Sequence, residues 1–177
     1  AEHSYAAANE LAATVPVGSD GLVMLPFGNG AERMLRNADI GAQWSGLDFN
    51  RHGPAHMLRA VQEGIAFAFG YGMEILRATG VDLSVIRAGD TNLFASPLFR
   101  QTLANTAGAC IELYSTDGAA GAARGAWIGA SVDGSAAGAD LAAVTNEVFG
   151  GLARAGRTEP ASTASADTRS AYRAWCA

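Results

Sequence analysis

The sequence predicts an α/β fold, and two observations in its middle third support that prediction. A short apolar run that ends at Ala88-Gly89 is followed by a polar loop and a helical pattern from Ser96. A second apolar run, over 109–114, is followed by a helix over 117–131 whose many Gly and Ala residues favour tight packing against a neighbour. This order of strand, loop, helix, strand and helix is typical of α/β domains. It places the loop after Gly89 at the carboxyl end of a strand, where open α/β sheets bind ligands.

Periodicity and helix- or strand-ending residues predict the other elements. Apolar positions three and four apart predict a helix over residues 2–14, and the run 22–25 predicts a buried strand that Pro26 ends. Residues 27–53 have no clear period and are predicted to be irregular. The remaining predicted elements are, in chain order, a helix over 54–79, a strand over 83–88, a helix over 96–107, a strand over 109–114, helices over 117–131 and 139–149, a polar connector over 156–168 and a terminal helix with Tyr172 and Trp175.

The long helix is the most strongly predicted element, because both of its ends are marked. Pro54 suits the first helical turn, and Gly80 suits the left-handed residue that follows a helix. Glycines at Gly64, Gly70 and Gly72 each cost about 1 kcal/mol relative to alanine, so we expect close packing against them. Large apolar residues at steps of three and four predict the face that anchors the core: Met57, Leu58, Val61, Ile65, Phe69, Ile75 and Leu76.

Composition limits the classes of function. With 177 residues and a net charge of −5, the chain suits one domain and argues against nucleic acid or an anionic membrane as its main partner. All twelve basic residues are arginine, which excludes a P-loop lysine and a Schiff-base lysine. Cys110 and Cys176 fit isolated thiols in a reducing compartment, so we expect a cytoplasmic protein. The chain opens at Ala1 in a helical pattern, and we expect a piece of a longer protein.

The loop between the strand over 83–88 and the next helix is the best candidate site. Gly89 can adopt a positive φ and lets a ligand approach the backbone, while Asp90 and Asn92 supply hydrogen-bonding groups. Ser96 is predicted to cap the following helix, whose amino end offers free N–H groups to an anion. An ordinary capped turn between a strand and a helix is the alternative interpretation.

Other residues give weaker indications of chemistry. His52 and His56 are four apart, but Pro54 separates them and no third ligand stands nearby, so surface histidines are favoured and no metal site is predicted. Gly28-Asn29-Gly30 fits an ordinary turn, since no complete nucleotide-binding fingerprint is present. Glu63 lies among apolar neighbours and can reach a buried partner. We assign no general acid or base to it.

Four groups of short motifs occur in order over residues 20 to about 150. They are Leu25-Pro26-Phe27 with Gly30-Ala31-Glu32-Arg33, the segment 42–47 with 56–64, Ala88-Gly89 with the segment 96–101, and the segment 117–123. Together they resemble the carboxyl-terminal half of the FGGY-type carbohydrate kinases, with its "LP(Y/F)…GER", "GGG…SPLWRQ" and "ALGAA" segments. The chain departs from the family pattern in three places: Ala88-Gly89 replaces two or three glycines, the loop before Ser96 is longer, and Met34-Leu35 follows Arg33 in place of Thr-Pro.

The resemblance implies an actin-like, ribonuclease-H-like ATPase carboxyl-terminal lobe that is helix-rich and has an incomplete sheet. It implies ATP and Mg²⁺ as cofactors, a ketopentose substrate such as D-xylulose, and an amino-terminal lobe as partner. It places Gly89 and Ser96 in the cofactor site by position, and the chemistry of the loop adds Asp90 and Asn92, with the helix over 117–131 as a wall behind them. The family's catalytic aspartate falls before Ala1, so no catalytic residue is predicted here.

The predicted domain organisation is one truncated lobe over residues 1–155, followed by a connector and terminal helix over 156–177. A non-catalytic actin-like module for binding or assembly is the alternative function. An unrelated doubly wound domain would need one continuous parallel sheet, for which the three predicted strands are too few. We expect no nucleic acid or membrane partner, and exposed strand edges leave a homodimer open.

Overall fold

The computed structural model describes residues 4–133, 140–162 and 165–177, so residues 2–3, 139 and 163–164 of the predicted elements lie outside the described residues. The helices are α1 (Tyr5–Ala13), α2 (Pro54–Ala78), α3 (Pro97–Ala107), α4 (Gly118–Asp133), α5 (Leu141–Phe149) and α6 (Ser165–Cys176). The strands are β1 (Val23–Phe27), β2 (Gly41–Ser45), β3 (Val85–Gly89), β4 (Cys110–Tyr114) and β5 (Arg154–Thr158). The predicted helix-rich α/β class is confirmed, and the sheets that the structure shows are small.

The described strands form two separate sheets. β1 and β2 pair antiparallel, while β3, β4 and β5 form a mixed sheet in that order. In the mixed sheet β3 and β4 are parallel, and β4 and β5 are antiparallel. This topology differs from the continuous parallel sheet of a doubly wound domain. None of the described helices is both long and apolar enough to cross a membrane.

Helix α2 lies at the centre and contacts α1, α3, α6 and β1. It begins at Pro54, and Gly80 follows its end at a φ of +88°, as predicted. The α carbon of Gly64 lies so close to the Met24 carbonyl that a β carbon would overlap the oxygen. A β carbon at Gly70 would come within 2.5 Å of the Thr106 methyl group. The expected close packing is therefore confirmed at these two glycines of the helix.

Two apolar clusters form the core on either side of α2. One contains Phe99 and Leu103 of α3 with Ile111 of β4, which are almost completely buried. The other joins the terminal helix α6 to α2 and β1 through aromatic rings: Phe27, Phe67, Tyr172 and Trp175. The indole N–H of Trp175 also donates to the Met24 carbonyl at 2.9 Å. α6 is thus fixed against the first sheet.

The face of α2 that is buried differs from the predicted one. Phe69, Ile75 and Leu76 are 49%, 41% and 48% exposed, whereas Phe67 and Met73 are buried. Arg59, Gln62 and Glu63 are buried beside them. The prediction was wrong because hydropathy treats these polar side chains as solvent-facing, although each has a hydrogen-bonding partner inside the fold.

A buried ion pair on α2 holds the loop before β1. Arg59 Nε donates to Glu63 at 2.7 Å, and Glu63 also accepts from the Gly18 N–H at 3.1 Å and the Ser19 hydroxyl at 3.2 Å. Ser19 and Asp20 have φ values of +49° and +52°, which are unfavourable for residues with a side chain. The expectation that Glu63 reaches a buried partner is confirmed, and its bonds stabilise a strained loop.

Strands β2 and β5 were not predicted from the sequence. β2 lies in the segment that we expected to be irregular, and its residues pair with β1 although most are exposed. β5 overlaps the start of the expected polar connector over 156–168 and pairs with β4, from Thr158 opposite Ile111 to Arg154 opposite Tyr114. Both predictions were wrong for the same reason: these strands lack an apolar alternation and form through backbone pairing at a sheet edge.

We expect Glu63→Gln to open the loop over 15–21 and the first half of α2. The variant leaves the Arg59 guanidinium buried without a counter-charge, which costs about 3–5 kcal/mol. Hydrogen–deuterium exchange of the full-length protein should show faster exchange in peptides from these segments. Glu10→Gln, at an exposed site on α1, is the control and should leave exchange unchanged. Equal protection in wild type and Glu63→Gln would contradict this role of the ion pair.

Candidate functional site

Two parallel strands end side by side at one edge of the mixed sheet. Gly89, the last residue of β3, pairs in register with Tyr114, the last residue of β4. The Tyr114 carbonyl then accepts from the Asp90 N–H at 3.0 Å and from the Thr116 N–H at 2.8 Å. One carbonyl thus ties the two loops that leave the strands, and the strand ends stay together.

Gly89 is required by a close backbone contact and not by its φ angle. A β carbon at this residue would overlap the Thr116 carbonyl oxygen, so any side chain would push the two loops apart. Its φ is not positive, so the left-handed conformation that a glycine permits is not used at Gly89. The loop residue with positive φ is Asn92, at +53°. Gly89 is partly exposed, so the expected access to its backbone remains.

A cavity of about 580 Å³ opens at these strand ends. Its volume lies in the range of small-molecule sites, roughly 300–1,000 Å³. One wall is the end of the sheet and the other is α5 with the turn that follows it. The lining residues are Arg87, Ala88, Gly89, Tyr114, Thr116, Thr145, Asn146, Phe149, Gly150 and Leu152. No described α4 residue lines this cavity, although Arg124 of α4 donates to the lining residue Thr116. The helix over 117–131 as a wall behind the nucleotide stays a prediction.

The four predicted site residues fall into different environments. Gly89 lines the cavity, whereas Asp90, Asn92 and Ser96 do not. Asp90 and Asn92 are exposed on the loop next to it. Ser96 is 3% exposed. The structure therefore brings one of the four to the cavity wall and keeps two others on the adjoining surface.

Ser96 is a helix cap whose hydroxyl both donates and accepts within the fold. It accepts from the Phe99 N–H at 3.3 Å and donates to Gln62 Oε1 at 2.7 Å. Gln62 in turn donates from its amide to Asn9 Oδ1 at 3.0 Å. These bonds join the loop over 89–96 to α1, α2 and α3. The predicted cap is confirmed, and it occupies one of the N–H groups that we expected to face an anion.

A charged cluster lies beside the cavity on the mixed sheet. Glu112 accepts from the Tyr114 hydroxyl at 3.1 Å and from Arg87 Nε at 3.2 Å, with Arg154 and Arg157 within 4 Å. The hydrogen bond from Tyr114, followed by the bond and charge of Arg87, lowers the pKa of Glu112. The cluster fixes the Arg87 and Tyr114 side chains, both of which line the cavity.

Most of the cavity wall was missed from the sequence. Tyr114 and Thr116 had a usable signal, because they end the second predicted strand and parallel strands end at the same edge. Thr145, Asn146 and Phe149 had none, since only the tertiary fold brings α5 across the strand ends.

The environment of the two histidines differs from the expected surface position. His52 is buried, with its ring nitrogens 3.0 Å from the Asp48 N–H and 3.3 Å from the Asp20 carbonyl, so the surface interpretation is wrong for it. His56 Nε2 lies 3.1 Å from Asp20 Oδ2. No three described His, Cys, Asp or Glu side chains are grouped to hold a metal ion.

The small-residue helix α4 also differs from expectation. A β carbon added at Gly121 or Gly125 would meet no described atom within 4 Å apart from the backbone of the helix itself. The expected tight packing is therefore absent among the described residues.

Comparison with known proteins identifies the family. The model of the C-terminal domain of the FGGY family of carbohydrate kinases matches residues 1–133. The chain belongs to this family. It is 30% identical over 122 residues to the xylulose kinase of Haemophilus influenzae, a match that covers 67% of this chain and 24% of the relative. It is 33% identical over 105 residues to the xylulose kinase of Escherichia coli, covering 58% of this chain and 20% of the relative. The matches thus span about a quarter of these curated relatives.

Two solved structures share the fold over nearly the whole chain. The xylulose kinase of Rhodospirillum rubrum aligns with a TM-score of 0.74 at 24% identity, covering 97% of this chain and 33% of that one. The gluconate kinase of Lactobacillus acidophilus aligns with a TM-score of 0.73 at 22% identity, covering 99% and 34%. The expected membership of the FGGY family and the carboxyl-terminal lobe fold are both confirmed.

The charge of Glu112 should stabilise the mixed sheet at neutral pH and not in acid. Because its pKa in the fold is lowered from the ordinary value of 4.5, its contribution is present above that value and is lost as pH falls through the lowered pKa. Thermal unfolding of the full-length protein at about pH 7 and about pH 3 tests this. Glu112→Gln should lower the midpoint temperature of unfolding at neutral pH and have little effect on it in acid. Glu147→Gln, at an exposed site, is the control and should have little effect on the midpoint temperature at either pH. An equal loss from Glu112→Gln at both pH values would contradict it.

Proposed function

We propose that this chain is the nucleotide-binding lobe of an ATP-dependent kinase that phosphorylates a ketopentose such as D-xylulose. The cavity at the ends of β3 and β4 supports this proposal most directly, because its size and its position at the carboxyl ends of parallel strands suit a nucleoside. Family membership supplies the reaction class. Both curated relatives named above are xylulose kinases, whereas a gluconate kinase shares the fold, so the sugar is the finer part of the proposal.

The lobe would act on ATP by position. The Gly89 backbone and the α5 wall would hold the nucleoside, and the exposed groups of Asp90 and Asn92 would border its entrance. Ser96 would act indirectly by fixing the loop through Gln62. In kinases, fixed orientation and charge stabilisation account for most of the acceleration of phosphoryl transfer. Mg²⁺ would accompany the phosphates, and we assign it no ligand among the described residues of this chain.

The sugar hydroxyl would attack the γ-phosphorus of ATP as the bond to ADP breaks, and its proton would pass to a base outside this chain. We propose an amino-terminal lobe as the source of that base and of the sugar contacts. The lobe described here would hold the donor in line for this attack.

Replacing Gly89 with alanine should weaken ATP binding. The new β carbon would overlap the Thr116 carbonyl, and relief of such overpacking costs about 1–3 kcal/mol, or roughly tenfold in affinity. Calorimetric titration of the full-length protein with a non-hydrolysable ATP analogue measures the change. Gly125→Ala adds the same methyl group where no described atom lies within 4 Å, and should bind like wild type. Equal affinities of Gly89→Ala and wild type would contradict a site at this strand end.

The full-length protein should release ADP from ATP only when a sugar acceptor is present, and fastest with D-xylulose. A coupled ADP assay with D-xylulose, D-gluconate, glycerol and a second pentulose separates the sugar from the reaction class. A higher kcat/KM with another acceptor would correct the sugar alone. Nucleotide binding without turnover on any acceptor would contradict the kinase and favour the non-catalytic binding module.

A further inference from the structure

Most of the polar side chains of the cavity wall hydrogen bond within the protein. Four of them hydrogen bond within the chain: Arg87 and Tyr114 to Glu112, Thr116 to Arg124, and Thr145 to the Leu141 carbonyl. Each of these groups has a partner in the protein, although the Arg87 guanidinium, whose side chain is 70% exposed, keeps further N–H donors that can face a ligand.

Asn146 differs from these four residues. It is exposed and lines the cavity, and its carboxamide has no hydrogen bond to any residue within 4–133, 140–162 or 165–177. Its backbone is fixed, because its carbonyl accepts from the Gly150 N–H at 2.7 Å and a β carbon at Gly150 would come within 2.5 Å of that oxygen. A carboxamide on a fixed backbone provides an N–H donor and a C=O acceptor side by side, with no partner in the described protein.

We propose that Asn146 reads the base of the nucleotide and sets a preference for adenine over guanine, an inference that rests on the proposed nucleotide site. Adenine presents an amino donor beside the N7 acceptor, the pattern that an asparagine side chain pairs with at both atoms. Guanine presents two acceptors at these positions, so the amide can satisfy only one. Phe149, Tyr114 and Leu152 supply the apolar surfaces between which a flat base can lie. Asn146 lies outside the residues 1–133 that the family model matches, so family membership does not assign this role.

The test compares ATP and GTP binding to the full-length protein and to two variants of this residue. Asn146→Ala removes the amide and favours the helix, whereas Asn146→Leu keeps nearly the same volume without hydrogen-bonding groups. In both variants the Kd for ATP should rise roughly tenfold and the Kd for GTP should change little, so that the ratio of the two affinities falls. Glu147→Ala, on the same helix but absent from the cavity wall, should retain the wild-type ratio.

The outcomes distinguish this inference from the proposal on which it rests. Selective loss of ATP affinity in both variants supports base reading by Asn146. If the variants bind ATP as tightly as wild type and keep its ratio of ATP to GTP affinity, the role of Asn146 is overturned and the nucleotide site stays intact. The same conclusion follows if the variants lose affinity for both nucleotides equally. Failure of the wild-type protein to bind either nucleotide would overturn the site itself and the inference with it.

Discussion

The close approach of two backbone segments at the ends of β3 and β4 is the constraint on which the candidate site depends. The α carbon of Gly89 lies against the Thr116 carbonyl, and the Tyr114 carbonyl binds the N–H groups of both loops. A side chain at Gly89 would separate the loops and deform the cavity. On the opposite wall Gly150 lies against the Asn146 carbonyl, a close contact within the last turn of α5. Glycine thus allows a close backbone contact on both sides of the cavity.

Much of the fold follows from the sequence, and the exceptions have a common cause. The long helix, β3, α3 and β4 were predicted from caps and apolar runs, with Ser96 at the start of α3. The buried face of α2 was wrong because Glu63 and Gln62 are buried for their hydrogen bonds, which hydropathy does not measure. β5 was missed because its exposed residues carry no alternation, and its Arg154 and Arg157 lie against Glu112. Polar interactions across distant parts of the chain account for both errors.

The rule that ligands bind beyond the carboxyl ends of parallel strands points to the strand ends where the cavity opens, and Gly89 lies on the cavity wall. The assignment of this cavity as a ligand site stays a proposal. Ser96 illustrates the limit of predicting site residues from sequence, because a serine at this position fits either a ligand contact or a helix cap. Its hydroxyl accepts from the Phe99 N–H, as a cap does, and donates to Gln62. The α5 wall could not be foreseen, because no local pattern indicates which helix will cross a strand end.

A crystal structure of the full-length protein with a non-hydrolysable ATP analogue and Mg²⁺ tests the central claim most directly. We expect density for the nucleoside between the Gly89–Thr116 edge and α5, with the base beside Asn146 and Phe149. An analogue bound at another place on the protein, with this cavity filled only by solvent, would contradict the assignment of the strand-end cavity as the nucleotide site.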